Sequence, residues 1–249
     1  MKSVWAVCMA AARQTVWKLL TIVTAMAAVE IGLFYRLVRQ RAPLLDDVIA
    51  FGETFTDWIQ RTGMLYLFCG AFVLLTAVLL LQGCDYHGGR LGYTLRRLPI
   101  GEAAITLLWA AMHVICYAIL WAVQVAVIWV CWQIFTRSGF GSGQLMDLFI
   151  LFYLDDFLHG LLPLAHVVVW VRQFLWVLSM GLGTAWFGLW QRRGKTAIGP
   201  AFALVAGLVT FHSGLRGGDE LADLTAALFG VMTVYYLGQI WRRAYETED

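Results

Sequence analysis

Charge is what this sequence has least of. Only 14% of its 249 residues are Asp, Glu, Lys or Arg, against 61% hydrophobic residues. A soluble domain carries about a quarter charged residues. The composition therefore excludes an ordinary soluble fold and predicts a polytopic membrane protein, with residues 1–249 as a single membrane domain. Cysteine is scarce and unpaired. Five thiols, an odd number without paired spacing, exclude a disulfide framework and predict buried free thiols. Cys69, Cys116 and Cys131 fall inside spans, Cys8 and Cys84 on the inner side. No CxxC or Cys/His run has zinc-ligand spacing. No metal or cofactor is expected on this chain.

A nucleotide loop is missing too. Gly194-Lys195-Thr196 copies the end of a P-loop, but the first glycine of that motif would fall at Leu189. The chain is thus expected not to hydrolyse ATP, and energy must come from a partner or an ion gradient. The N-terminus also lacks the pattern of a signal peptide. The first long apolar segment follows Lys18, contains Glu30 and ends in arginines without a small-residue cleavage site.

What is present is a series of long apolar runs. About 20 apolar residues cross a bilayer as a helix, which predicts spans at residues 19–38, 62–82, 103–135, about 164–190, 198–211 and 221–241. The third is long enough to tilt, and the fifth is short. In residues 1–18, Val4, Trp5, Cys8, Ala11 and Ala12 fit one face of an interfacial helix. A frayed basic tail fits the same residues. Within loop 39–61, Leu45, Val48, Ile49, Phe55, Trp58 and Ile59 predict an amphipathic helix on the outer surface.

Orientation follows from the basic residues. With both termini inside, the inner segments hold Lys2, Arg13, Lys18, Arg90, Arg96, Arg97, Arg192, Arg193, Lys195, Arg242 and Arg243. The outer side holds Arg36, Arg39, Arg41, Arg61, Arg137 and Arg216. Eleven against six places both termini in the cytoplasm.

The most polar interruption between two spans is CDYHGGRLGYTLRRLPIGE, residues 84–102, inside the cytoplasmic loop 83–102. Leu91, Leu95 and Leu98 recur at helical spacing among Tyr93, Arg96 and Arg97. Pro99 ends that short helix by pushing the residue before it out of the α region. Gly101 allows a turn, and Glu102 suits the first turn of the next helix.

The run GYTLRRLPIGE resembles the first cytoplasmic loop of ABC-2 type exporter permeases, where a basic segment ending in Leu-Pro precedes the third span. FLHGLLPL, residues 157–164, resembles small permeases of this kind from Gram-positive bacteria. The resemblance implies an all-α integral membrane protein of six transmembrane helices with a cytoplasmic coupling helix. It implies a permease subunit in a bacterial cytoplasmic membrane. Tyr93, Leu95, Arg96, Arg97 and Leu98 would dock on a separate ATPase subunit, which would hold the ATP and Mg. A second permease subunit, identical or homologous, would complete the assembly. On this reading the chain is not itself an enzyme.

Three groups compete for a site. Asp155, Asp156 and His159, with His166 further on, are the most enzyme-like cluster and support an alternative, a membrane-embedded enzyme that activates water. The same residues fit a polar helix end at the outer interface. A third class is a non-transporting membrane anchor or regulatory subunit. Glu30 and Arg172 stand near membrane depth, where ionisable groups face a cavity or each other. They could form an ion pair along a substrate path, or snorkel to the outer headgroups. His113 reads as a hydrogen-bonded helix contact. Gly181, Gly183 and Gly188 predict close helix approach. The tryptophans read as interface belts at span ends.

Residues 145–190 are too many for one span. Two full crossings would put an acidic turn without Lys or Arg inside and five basic residues outside, against the positive-inside rule. The expectation is an outer re-entrant hairpin at residues 143–163. Leu145, Leu148, Phe149, Phe152 and Asp156 would share one face, and Gly160 and Pro163 would break the chain before the fourth span. Such a hairpin would gate the exit.

Overall fold

Backbone amides in hydrocarbon have no water to bond, so an apolar run there must close its hydrogen bonds within a helix. The computed structural model has that form throughout. It describes residues 2–41, 54–82, 101–139, 145–164, 167–191, 198–213 and 218–245, and among these there is no strand. The helices are α1 (Lys2–Arg41), α2 (Phe55–Thr62), α3 (Met64–Gln82), α4 (Glu102–Arg137), α5 (Leu145–Leu154), α6 (Asp156–Leu161), α7 (Val167–Gln191), α8 (Gly199–Ser213) and α9 (Gly218–Tyr245). Five are long and apolar enough to cross a membrane: α3, α4, α7, and the parts of α1 and α9 at Thr15–Arg41 and Glu220–Arg242. α8 is apolar over Gly199–Val209 but shorter than those five.

α1 runs without interruption from Lys2, so residues 2–18 are one helix with the first apolar run. Of the helix predicted in loop 39–61, Leu45, Val48 and Ile49 lie outside the described residues, while the part with Phe55, Trp58 and Ile59 is present as α2. Thr54 caps it in a capping box with Asp57, and Gly63 closes it at φ +68°, a left-handed conformation that suits glycine. The bonds from Thr54 hold the Asp57 carboxyl below its usual range. Phe55, Trp58 and Ile59 are buried on its inner face, with Phe55 against Trp132 and Phe135 of α4.

α7 lies at the centre, packed on α3, α4, α8 and α9. Its Trp176 stacks on Phe72 of α3 at 4.6 Å, and Phe72 stacks in turn on Tyr117 of α4 at 4.8 Å. Phe68, Trp121, Phe157 and Phe211 close the same aromatic core. The belt reading of tryptophan therefore fails for Trp58, Trp109, Trp132, Trp176 and Trp186, which are buried in protein. Trp17, Trp129, Trp170 and Trp241 are exposed. Periodicity cannot separate a ring facing lipid from one facing a neighbouring helix when both surroundings are apolar. A second, smaller core, around Trp109, Trp186 and Tyr236, joins α4, α7 and α9.

Candidate functional site

An apolar bundle reveals function where it tolerates polar groups, because each needs a partner inside hydrocarbon. Such groups gather in two places. The first is the end of the bundle formed by α2, the start of α3, α6 and the end of α8. A cavity of about 260 Å³ opens there, lined by Gln60, Gly63, Tyr66, Asp155, Asp156 and Phe211 among others. Asp155 forms its wall and stands at the joint between α5 and α6. Its backbone is extended, and its Oδ1 accepts from the amides of Phe157 and Leu158 at 3.0 Å each. Its Oδ2 accepts from Gln60 Nε2 at 3.4 Å, which ties α6 to α2.

The apolar run thus bends at Asp155, one residue before the expected stripe ends. Asp156 belongs to α6 and not to the face shared by Leu148 and Phe152. Those two are buried, while Phe149 points outward. Gly160 does not break the chain either. It sits inside α6 because Phe211 packs against it, so closely that a Cβ would lie 3.2 Å from the ring. The exit from α6 comes at Leu162 and Pro163.

Carbonyls at that exit have no partner within their own helix. Two side-chain donors answer them. Gln173 Nε2 donates to Gly160 O at 3.0 Å, and Trp121 Nε1 donates to Leu161 O at 2.9 Å. Through these two bonds α4 and α7 cover the end of α6. His159 is buried in α6, its ring edge-on to Tyr153. Asp155, Asp156 and His159 therefore come together as one short capped helix. Asp155 is already occupied as its cap, which leaves it poorly placed as a general base. Among the described residues no group of three His, Cys, Asp or Glu side chains could hold a metal ion.

The second place is the interior. Glu30 on α1 is fully buried, and Gln124 Nε2 of α4 donates to its Oε2 at 2.8 Å. Arg172 is also buried, on α7, but makes no ion pair with Glu30. The sequence offers two charges of opposite sign and no way to know that α4 stands beside α1. Burial within the protein also removes the snorkelling reading for both side chains. Gln124 carries no charge and gave no signal within a long apolar span. His113 meets expectation: its Nδ1 lies 2.8 Å from Thr184 Oγ1, across α4 and α7. That hydroxyl donates to Met180 O, so the imidazole donates from Nδ1. Thr76 spends its proton on Phe72 O, so Tyr117 donates to Thr76 at 2.9 Å. Cys116 and Cys131 are buried free thiols, as expected, while Cys69 is free but only half-buried. Tyr93, Leu95, Arg96, Arg97, Leu98 and His166 lie outside the described residues.

The described residues form an all-helical fold with five helices fit to cross a membrane. Comparison with protein-family models, with curated proteins and with solved structures finds no match.

Proposed function

We propose that this chain is the membrane-spanning permease subunit of an ATP-driven exporter of the ABC-2 type, working with a separate ATPase and a second permease subunit. The observation that carries the reading is the basic run GYTLRRLPIGE between α3 and α4, two helices long enough to span. α4 begins at Glu102 directly after Gly101, as that run requires. On this reading a short helix between the two spans transmits motion from a partner to the bundle. In this proposal α8 is a sixth, short crossing, both termini are cytoplasmic, and the α2 end is the outer face. The α5–α6 hairpin enters the outer leaflet and closes the exit over the cavity at Asp155. Its support is the capture of both exit carbonyls by Gln173 and Trp121.

Two measurements test this. Leu95→Asp places a charge in the docking contact at a cost of about 3 kcal/mol. The purified variant should lose the co-purifying ATPase subunit that wild type retains in mild detergent. Wild type without any such subunit, or a variant that still assembles normally, would end the proposal. For the hairpin, Asp156→Cys in an otherwise cysteine-free chain should react with a membrane-impermeant thiol reagent from outside intact cells. Labelling from the cytoplasmic side alone would overturn both the hairpin and the six-span count.

A further inference from the structure

We infer that Glu30 is a proton-binding site, a neutral carboxylic acid shared with Gln124 and able to release its proton when α1 parts from α4. Both side chains are wholly buried. One hydrogen bond joins them, from Gln124 Nε2 to Glu30 Oε2. The other two oxygens, Glu30 Oε1 and Gln124 Oε1, have no partner. The pair therefore has two acceptors to which no donor is bonded. It also has a carboxyl group with no cation beside it, since no described Lys, Arg or His pairs with Glu30. An uncompensated buried carboxylate is among the most costly groups a protein can hold.

A single proton on Glu30 removes the charge and supplies the missing donor at once. A small rotation about the soft terminal torsions lets the acid O–H donate to Gln124 Oε1. That closes a reciprocal acid–amide pair with two hydrogen bonds. A calcium-like cation fits worse, because it takes six or more oxygens and the two side chains offer three. A bridging water would satisfy the acceptors but leave the charge in place. Of the helices packed on α1, α4 also brings the Cys131 thiol within electrostatic reach of the carboxyl. α3 has no charged residue; of the two on α2, Asp57 bonds Thr54 and Arg61 lines a separate cleft beside Arg36 of α1. Release is simple dissociation: the O–H bond breaks, the electron pair stays on the carboxylate, and the proton passes to water. The charge left behind favours a hydrated seam, so release and the opening of α1 from α4 are linked.

The proposal needs no transport activity and is tested on purified wild-type protein in detergent. Infrared difference spectra against Glu30→Gln should show a neutral-acid carbonyl band at neutral pH that the variant has lost. A carboxylate signature at neutral pH instead would overturn the proposal, with water or an ion as the occupant. The second readout is Cys131 in a chain whose other four cysteines are replaced. On moving from neutral to alkaline pH, its labelling by a maleimide should rise roughly tenfold more with Glu30 present than in Glu30→Gln, as local opening becomes easier. The carboxylate repels a neighbouring thiolate, so its charge alone would slow labelling when Glu30 is present; a rise no larger than that in Glu30→Gln would also overturn the inference.

Discussion

Gly207→Ala should destabilise the bundle by about 3 kcal/mol or more, among the largest effects of any single methyl group here. Gly207 lies on α8 directly against the Trp176 indole of α7, so close that an added Cβ would fall within the ring. The indole cannot retreat. It is buried, and Phe72 stacks on it at 14° between ring planes. Its Nε1 donates to Ala203 O at 3.2 Å, one turn before Gly207 on the same helix. An alanine must therefore push α8 away, and the indole N–H loses its carbonyl in an apolar core. Thermal unfolding in detergent measures the loss. Gly238→Ala on α9 is the control, because nothing lies within 4 Å of its Cβ position. There alanine should be neutral or stabilise by up to about 1 kcal/mol. Trp176→Phe, which shortens the offending edge, should recover part of the loss in the double variant, a coupling that a mutant cycle resolves. Equal stability of Gly207→Ala and wild type would contradict this packing.

Gly207 also shows where sequence reading stops. The long apolar runs specified their helices plainly, since hydrocarbon permits hardly anything else. α2 was legible from its amphipathic spacing, and the interruption after residue 145 from excess length and the positive-inside rule. The place of the bend was not. Asp155 and Asp156 are the same residue type in sequence, and only the three-dimensional turn decides that the first one caps. Long-range partners were invisible for a related reason. Glu30 stood out as a charge, but its partner Gln124 lies 94 residues away and carries none. Trp176 and Gly207 meet across α7 and α8, and neither sits in a motif that names the other. The apolar code in a membrane says which segments are helices. It does not say which faces meet, because lipid and a neighbouring helix ask for the same side chains.

Close-packed glycines are the partial exception, and they carry the last expectation. Gly181 and Gly183 read as contact points from sequence, and both are: Gly181 faces α4, Gly183 faces Tyr236 of α9. Gly181→Ala should cost about 2 to 4 kcal/mol, and relief of the side-chain clash alone should not restore it. Its Cβ would strike Val114 Cγ2, which a smaller side chain removes. It would also stand 3.1 Å from Ala110 O and Val114 N, which are backbone atoms that no substitution removes. Val114→Ala in the Gly181→Ala chain should thus recover only part of the stability, unlike a clash confined to side chains. The remainder appears as separation of α4 from α7, the seam that holds His113 to Thr184 at 2.8 Å. Loss of that bond leaves both imidazole nitrogens buried without partners, because His113 Nε2 already lacks one. The nitrogen resonances of His113 report it directly. They should show a neutral ring locked as the Nδ1–H tautomer in wild type and lose that lock in Gly181→Ala. A full rescue by Val114→Ala, or an unchanged His113 tautomer, would show that α4 and α7 do not meet at Gly181.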